Sequence, residues 1–345
     1  MYRRAQLLLL INAVGIGAAA VIVSIASGKP LVDPDGSFLG PSWMRLPLLL
    51  AAAILLDLLP RTLWFSRCRP AQMLPVLRER IGTHWNRERL TLVAVGVIAF
   101  YVIYVSYRNL KSALPSLIHS QYDHELHLID RALFFGHEPG AVLQDIFGTH
   151  ILAFFFSYVY LWFLPLVPIA VTCWLVWSKN LGYGYWFVCS QGLAWTLGTI
   201  SYYMLPTIGP GLQYPYVYTP LTHTPTTDLM DSLVNARHTA LWDQQANAAQ
   251  TVAGFASLHT AITLLVALMV QYTLRQRWIK ILFWVNFGVT VCATLYFGWH
   301  YVSDDVAGVL IALASFYFGG LASGQRFRRK GTVSPEPVPE VAQVH

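Results

Sequence analysis

The sequence predicts an all-α, polytopic membrane protein with about eight transmembrane helices, and three observations carry that reading. Hydrophobic residues make up 55% of the chain and charged residues only 12%, with a mean hydropathy of +0.49, well outside the range of an ordinary water-soluble domain. Eight apolar stretches, at 5–26, 46–60, 90–107, 151–177, 183–205, 256–274, 281–298 and 303–323, approach or exceed the length a helix needs to cross about 30 Å of hydrocarbon. Backbone inside lipid must satisfy its own hydrogen bonds, which makes helices of such stretches. Finally, Lys and Arg are placed asymmetrically. With both ends inside, the inner segments hold 17 of the 23 basic residues, so the rule that cytoplasmic loops are basic predicts an N-in, C-in protein.

Taken in order, the first stretch follows Tyr2-Arg3-Arg4 and ends near Ser24-Ile25-Ala26, which resembles a cleavable signal. Its core from Leu7 to Val23 is longer than the roughly 7–15 residues of a signal core and is expected to stay as a span. Pro30, Pro34, Gly36, Gly40 and Pro41 mark 27–45 as an outer loop. The basic inner segment 61–89 is expected to form a short amphipathic helix. Residues 108–150 form a longer outer segment, in which Leu126, Ile129, Leu133, Phe134 and Leu143 suggest helices lying along the membrane surface with their polar face toward lipid headgroups. The second long outer loop, 206–255, is irregular at first because of Pro206, Pro210, Pro215, Pro220 and Pro225. It becomes helix-compatible from Asp228 to Gln250, where a lid carrying Arg237, His238, Trp242 and Asp243 is expected over the site. Gly308, Ala312, Gly319 and Gly320 in the last span allow close helix approach. The tail after Lys330 reads as disordered. The organisation expected is 1–89 as two extra helices and an inner basic loop, 90–325 as a membrane-embedded catalytic core, and 326–345 as a cytoplasmic tail.

The net charge of +6 is topological. The inner basic residues flank spans and answer anionic lipid, so no nucleic-acid partner is expected. Cys68 falls in the inner loop, and Cys173, Cys189 and Cys292 fall within spans, which excludes a disulfide framework or a cysteine metal cluster.

The chemistry gathers in two short segments at the edges of late spans, Gly254-Phe255-Ala256-Ser257-Leu258-His259-Thr260 and Gly298-Trp299-His300-Tyr301-Val302-Ser303-Asp304-Asp305. Asp304, four residues after His300, can hold one ring nitrogen and leave the other free to attack, while His259 is available as general acid. Asp305 reads as a helix cap. Basic Arg108, Lys111 and Arg237 on the same side suit a phosphate ester. Together these residues point to phosphoryl transfer through a phosphohistidine: His300 attacks phosphorus, Asp304 fixes its tautomer, and His259 protonates the leaving oxygen. No metal or organic cofactor is needed for this chemistry.

On these motifs the chain resembles the type 2 phosphatidic acid phosphatase superfamily, whose second and third motifs are built on Ser-(Gly or Leu)-His and Gly-x-His-x-x-x-Asp. Ser257-Leu258-His259 and Gly298-Trp299-His300 through Asp304 match them. Tyr203-Met204-Leu205-Pro206-Thr207, and Asp130 followed by Leu133-Phe134-Phe135-Gly136 and Pro139, are similar to the inositol phosphorylceramide synthase branch and its bacterial relatives. The resemblance covers roughly 100–320 and implies a six-helix core acting on a lipid phosphate or phosphodiester at the outer leaflet. The superfamily's first motif, Lys-x6-Arg-Pro, has no counterpart before the histidines, since Arg69-Pro70 lies in the inner loop. The Arg six residues before the third-motif His is Thr294 here. Phosphate binding therefore passes to Arg108 and Lys111, which share a helical face, together with Arg237 and Ser257. Hydrolysis and headgroup transfer of the inositolphosphotransferase type share this half-reaction and differ in whether water or an alcohol enters.

Two rivals come from other classes. A non-catalytic lipid transporter or scaffold has no evident reason to set His259, His300 and Asp304 on one side. A metal-dependent hydrolase would use His124 and His127, but His-Glu-x-His is one residue short of the zinc-protease spacing.

Overall fold

The structure, a computed structural model, describes residues 2–33, 41–67, 69–118, 120–232, 254–327 and 333–335. Helices follow in the order α1 (Arg3–Ser27), α2 (Ser42–Phe65), α3 (Pro70–His84), α4 (Arg87–Leu117), α5 (Asp123–Leu133), α6 (Pro139–Phe147), α7 (Ile151–Trp177), α8 (Leu181–Met204) and α9 (Pro210–Gln213). There follow α10, described over 225–232, and then α11 (Leu258–Thr273), α12 (Arg277–Tyr296) and α13 (Val302–Ala322). Gln325–Phe327 pairs antiparallel with Val333–Pro335, so three residues of the tail, expected to be disordered, form a short strand.

All eight apolar stretches are helical. Six of the helices, α1, α2, α4, α7, α12 and α13, are long and apolar enough to cross a membrane. The chain is therefore a multi-pass, nearly all-helical membrane protein. Helix α8 has the length but carries Gly, Ser, Gln and Tyr, because it contacts α1, α4, α7, α11 and α13 rather than lipid. Most of its residues are buried, and a helix surrounded by helices can keep polar groups that find partners. Helix α1 packs on α4 and α8, where Thr196 Oγ1 donates to Asn12 Oδ1 at 2.6 Å and Gln6 Nε2 to the Tyr185 hydroxyl at 2.8 Å.

Helix α4 runs past the end of its apolar stretch, to Leu117. Arg108 and Lys111 thus stand on its last turns inside the bundle, and the outer segment begins after Leu117 instead of at 108. Their cations lie over Tyr rings, Arg108 over Tyr104 at 5.9 Å and Lys111 over Tyr202 at 5.6 Å, and this aromatic lining lets a helix carry charge where hydropathy alone would end it.

Helices α5 and α6 follow as short segments outside the spans, as expected, but α5 is turned the other way. Asp123, His127 and Asp130 are buried with Leu126, while Leu128, Ile129 and Leu133 are exposed. Its polar face therefore meets protein, not lipid headgroups, because the loops around it present backbone N–H groups that Asp123 and Asp130 accept from. The N-termini of α7, α11 and α13 and the C-termini of α4, α8 and α12 lie at one end of the bundle. Tyr2 and Arg3 meet Leu321 to Gln325 at the other.

Candidate active site

The site grows from two helix N-termini set side by side. Gly254 (φ +82°) and Ala256 (φ +68°) turn the chain into α11 in left-handed backbone. At 254 a side chain is excluded twice, by conformation and because a Cβ would lie 2.5 Å from the Tyr202 ring. Ser257 then caps α11, its hydroxyl accepting from Thr260 N at 3.3 Å, which fixes His259 in the first turn. Ser257 N donates to the main-chain oxygen of Asp304 at 2.9 Å. That bond joins the two motifs through backbone. Gly308 makes the approach possible, since a Cβ there would sit 2.5 Å from the Ser257 carbonyl oxygen.

Asp304 is fully buried at the start of α13. Its Oδ2 accepts from Tyr301 N at 2.9 Å and lies 3.3 Å from His300 Nδ1. One carboxylate oxygen thus caps the helix and holds the imidazole with Nε2 turned away from it. Asp305, expected to be the cap, does something else: Thr260 Oγ1 donates to its Oδ1 at 2.5 Å, and Thr294 Oγ1 lies 3.0 Å from its Oδ2. It ties α11, α12 and α13 together, with Thr294 as its partner on α12. Burial pushes the His300 imidazole down to about 4, with the Asp305 charge opposing and the Lys111 charge assisting, so His300 is neutral near pH 7 and has a lone pair to use.

His259 is half-buried and stacked between Tyr160 (centroids 4.3 Å, 13°) and Phe163 (4.0 Å, 34°). Trp299 stacks on Tyr160 at 5.3 Å. The His259 and His300 rings are 6.3 Å apart, a spacing that fits one tetrahedral group with reacting atoms about 3 Å from each. From α4, the Lys111 charge reaches both imidazoles. Arg108 is buried one turn before, donating to the Tyr104 hydroxyl at 3.3 Å. Arg237, His238, Trp242 and Asp243, and with them the expected lid, lie outside the described residues.

Two carboxylates on α5 complete the surroundings. Asp123 accepts from Ile208 N (3.0 Å), Gly209 N (3.0 Å) and the Tyr301 hydroxyl (3.0 Å). Asp130 accepts from Val302 N with both oxygens, at 3.1 and 3.0 Å. His127 pairs with Glu138 (3.3 Å) and stacks on Tyr214 (4.0 Å), while His124 is exposed, so the two histidines of the metal reading are not brought together. Sequence reasoning passed over Asp123, Tyr160, Phe163 and Thr260 as site residues. The first left a signal, because 123, 127 and 130 recur at the period of one helix face. The aromatics left none, since they come from a distant span.

Fold and site define a polytopic helical membrane protein with a buried His–Asp pair and a second His facing it. The model of the PAP2 superfamily matches residues 124–318, more than half of the chain and both histidine segments. The chain belongs to the PAP2 superfamily, whose members are membrane phosphatases and phosphotransferases. No curated protein and no solved structure matches it.

Proposed function

We propose that this protein is a metal-independent lipid phosphatase or phosphotransferase that works through a phosphohistidine on His300. The observation that carries the reading is the His300 Nδ1–Asp304 Oδ2 contact of 3.3 Å with the His259 ring 6.3 Å away. The Nε2 lone pair of His300 attacks phosphorus and the bond to the leaving oxygen breaks, while His259, protonated once the phosphate anion is bound beside it, gives that oxygen its proton. Asp304 steadies the positive charge on the phosphoimidazole. In the second half-reaction His259 takes a proton from the entering oxygen, the P–O bond forms and the P–N bond breaks. Lys111, Arg108 and Ser257 neutralise or donate to the non-bridging oxygens, and Arg237 is a further candidate.

The membrane setting and the apolar surroundings of His259 favour a lipid-linked phosphate ester as substrate. The basic asymmetry of the sequence, with the sparse basic side at the histidine end, favours an extracytoplasmic site. Transfer to an alcohol is the second reading, resting on the likeness of Tyr203 to Thr207, and of Asp130, Leu133 to Gly136 and Pro139, to the inositol phosphorylceramide synthase branch.

The test gives purified protein in detergent a panel of lipid phosphates and phosphodiesters, with and without a polyol acceptor, following free phosphate and new lipid products. Free phosphate lost in His300→Ala identifies a phosphatase, and a new phosphodiester lost in His300→Ala identifies a transferase. Turnover that chelator abolishes, or that survives in His300→Ala, overturns the reading.

A further inference from the structure

We infer that Asp123 and Asp130 make α5 a positioning clamp for the loop that presents His300. The inference rests on His300 being the attacking group proposed above. His300 lies between two helices, in a stretch where ordinary helix hydrogen bonding supplies little support. From one side Asp304 holds the His300 ring and Tyr301 N. From the other, α5 takes hold of the next two residues: the Tyr301 hydroxyl donates to Asp123 at 3.0 Å, and Val302 N meets both oxygens of Asp130. The two carboxylates stand seven residues apart, two turns of one helix face. Asp123 also fastens the loop after α8, through Ile208 N and Gly209 N, so α5 and two separate loops become one rigid body around the histidine.

The choice of carboxylates is informative. Asp123 and Asp130 are 1% and 3% exposed, and Asp304 is fully buried nearby. Three acidic groups in one buried neighbourhood repel one another and lose hydration. Neutral Asn or Ser would cap a helix at less cost. What a carboxylate adds is shape and, in the fraction that is ionised, strength: charge-assisted bonds to N–H groups are shorter and about twice as strong as neutral ones, and Asp130 offers two oxygens to the first N–H groups of α13, at the positive end of its dipole. A misplacement of His300 by about 1 Å would cost on the order of a hundredfold in rate. The acidic groups act on catalysis through that placement, without touching the substrate.

The experiment is hydrogen exchange by mass spectrometry on the full chain in lipid nanodiscs, read at peptides covering 298–303 and, as controls, at peptides of α8 and α11. Wild type, Asp130→Ala, Asp130→Asn and Asp123→Ala are compared, and the same samples are assayed for kcat and KM on a substrate that wild type turns over. The clamp predicts for Asp130→Ala about a tenfold faster exchange in 298–303 alone, with kcat reduced about 10–100-fold and KM within about threefold. Asp130→Asn, whose amide oxygen still accepts from Val302 N but without the charge or the second oxygen, recovers part of both, and its faster exchange at 298–303 decides the matter if Asp130→Ala does not fold. Unchanged exchange at 298–303 overturns the proposal, as does faster exchange across α8 and α11, or a loss carried by KM. If wild type shows no His300-dependent turnover, the proposed function fails, while the exchange measurement still decides the clamp.

Discussion

Replacing Asp304 with Asn tests the core of the mechanism with the least disturbance of the fold. The side chain keeps its size, and its amide oxygen can still accept from Tyr301 N, which the aspartate does at 2.9 Å. What is lost is the charge facing His300 Nδ1 at 3.3 Å. Two unit charges at that distance interact by about 5 kcal/mol at the effective dielectric constant of about 20 that describes protein sites. The imidazole is neutral before attack and gains only part of a positive charge in the transition state, so about half of that, ~2–3 kcal/mol, is the differential effect, or roughly 30–150-fold in rate. Because the interaction strengthens only as the P–N bond forms, the loss falls on kcat and leaves KM within about threefold. The assay is steady-state turnover of a substrate with His300-dependent activity, alongside thermal unfolding of the same samples. An Asp304→Asn protein with an unchanged melting temperature and kcat within about threefold of wild type would refute the reasoning, since no catalytic role for the pair could then be kept.

Other predictions follow from the same geometry. Gly308→Ala places a methyl 2.5 Å from the Ser257 carbonyl oxygen; α13 must move from α11, with an expected stability loss of about 1–3 kcal/mol and at least about tenfold lower kcat, read by thermal unfolding and turnover. Lys111→Met removes a cation whose field reaches both imidazoles, and KM for a lipid phosphate should rise about tenfold or more. Burial raises the Asp130 carboxyl to about 7, with Glu138 and Asp304 adding to the rise and the Val302 and Ser303 N–H groups opposing it. Its folded value then exceeds its unfolded one, so the stability this group contributes is full below about 4 and is lost as pH rises toward 7. The melting temperature of wild type relative to Asp130→Asn should accordingly fall across that window and level off above it. A flat difference would show that Asp130 titrates normally.

Much of the fold was legible because lipid imposes one rule on every apolar run, and all eight stretches are helices. Their limits were less so. Helix α4 continues through Arg108 and Lys111 because Tyr rings receive their cations, and no hydropathy window sees a neighbour from another helix. The orientation of α5 was read backward for a similar reason: its amphipathic pattern is plain, but which face meets protein depends on N–H groups supplied by Ile208, Gly209 and Val302. In the site, His259, His300 and Asp304 come together as their motif spacing implied, and the role of capping residue passes from Asp305 to Asp304. Arg237 belongs to a segment outside the described residues, and Tyr160 and Phe163 reach His259 from a span with no motif of its own.

The hydrogen bond from Ser257 N to the Asp304 carbonyl has a consequence for how this scaffold can vary. It joins the two histidine segments through atoms that every amino acid at those positions possesses, proline at 257 excepted. Side chains around the pocket can therefore be exchanged, changing which headgroup enters or which acceptor follows, while the separation of the reacting groups stays anchored in the main chain. Chemistry and framework are specified by different atoms, and one can drift while the other holds still.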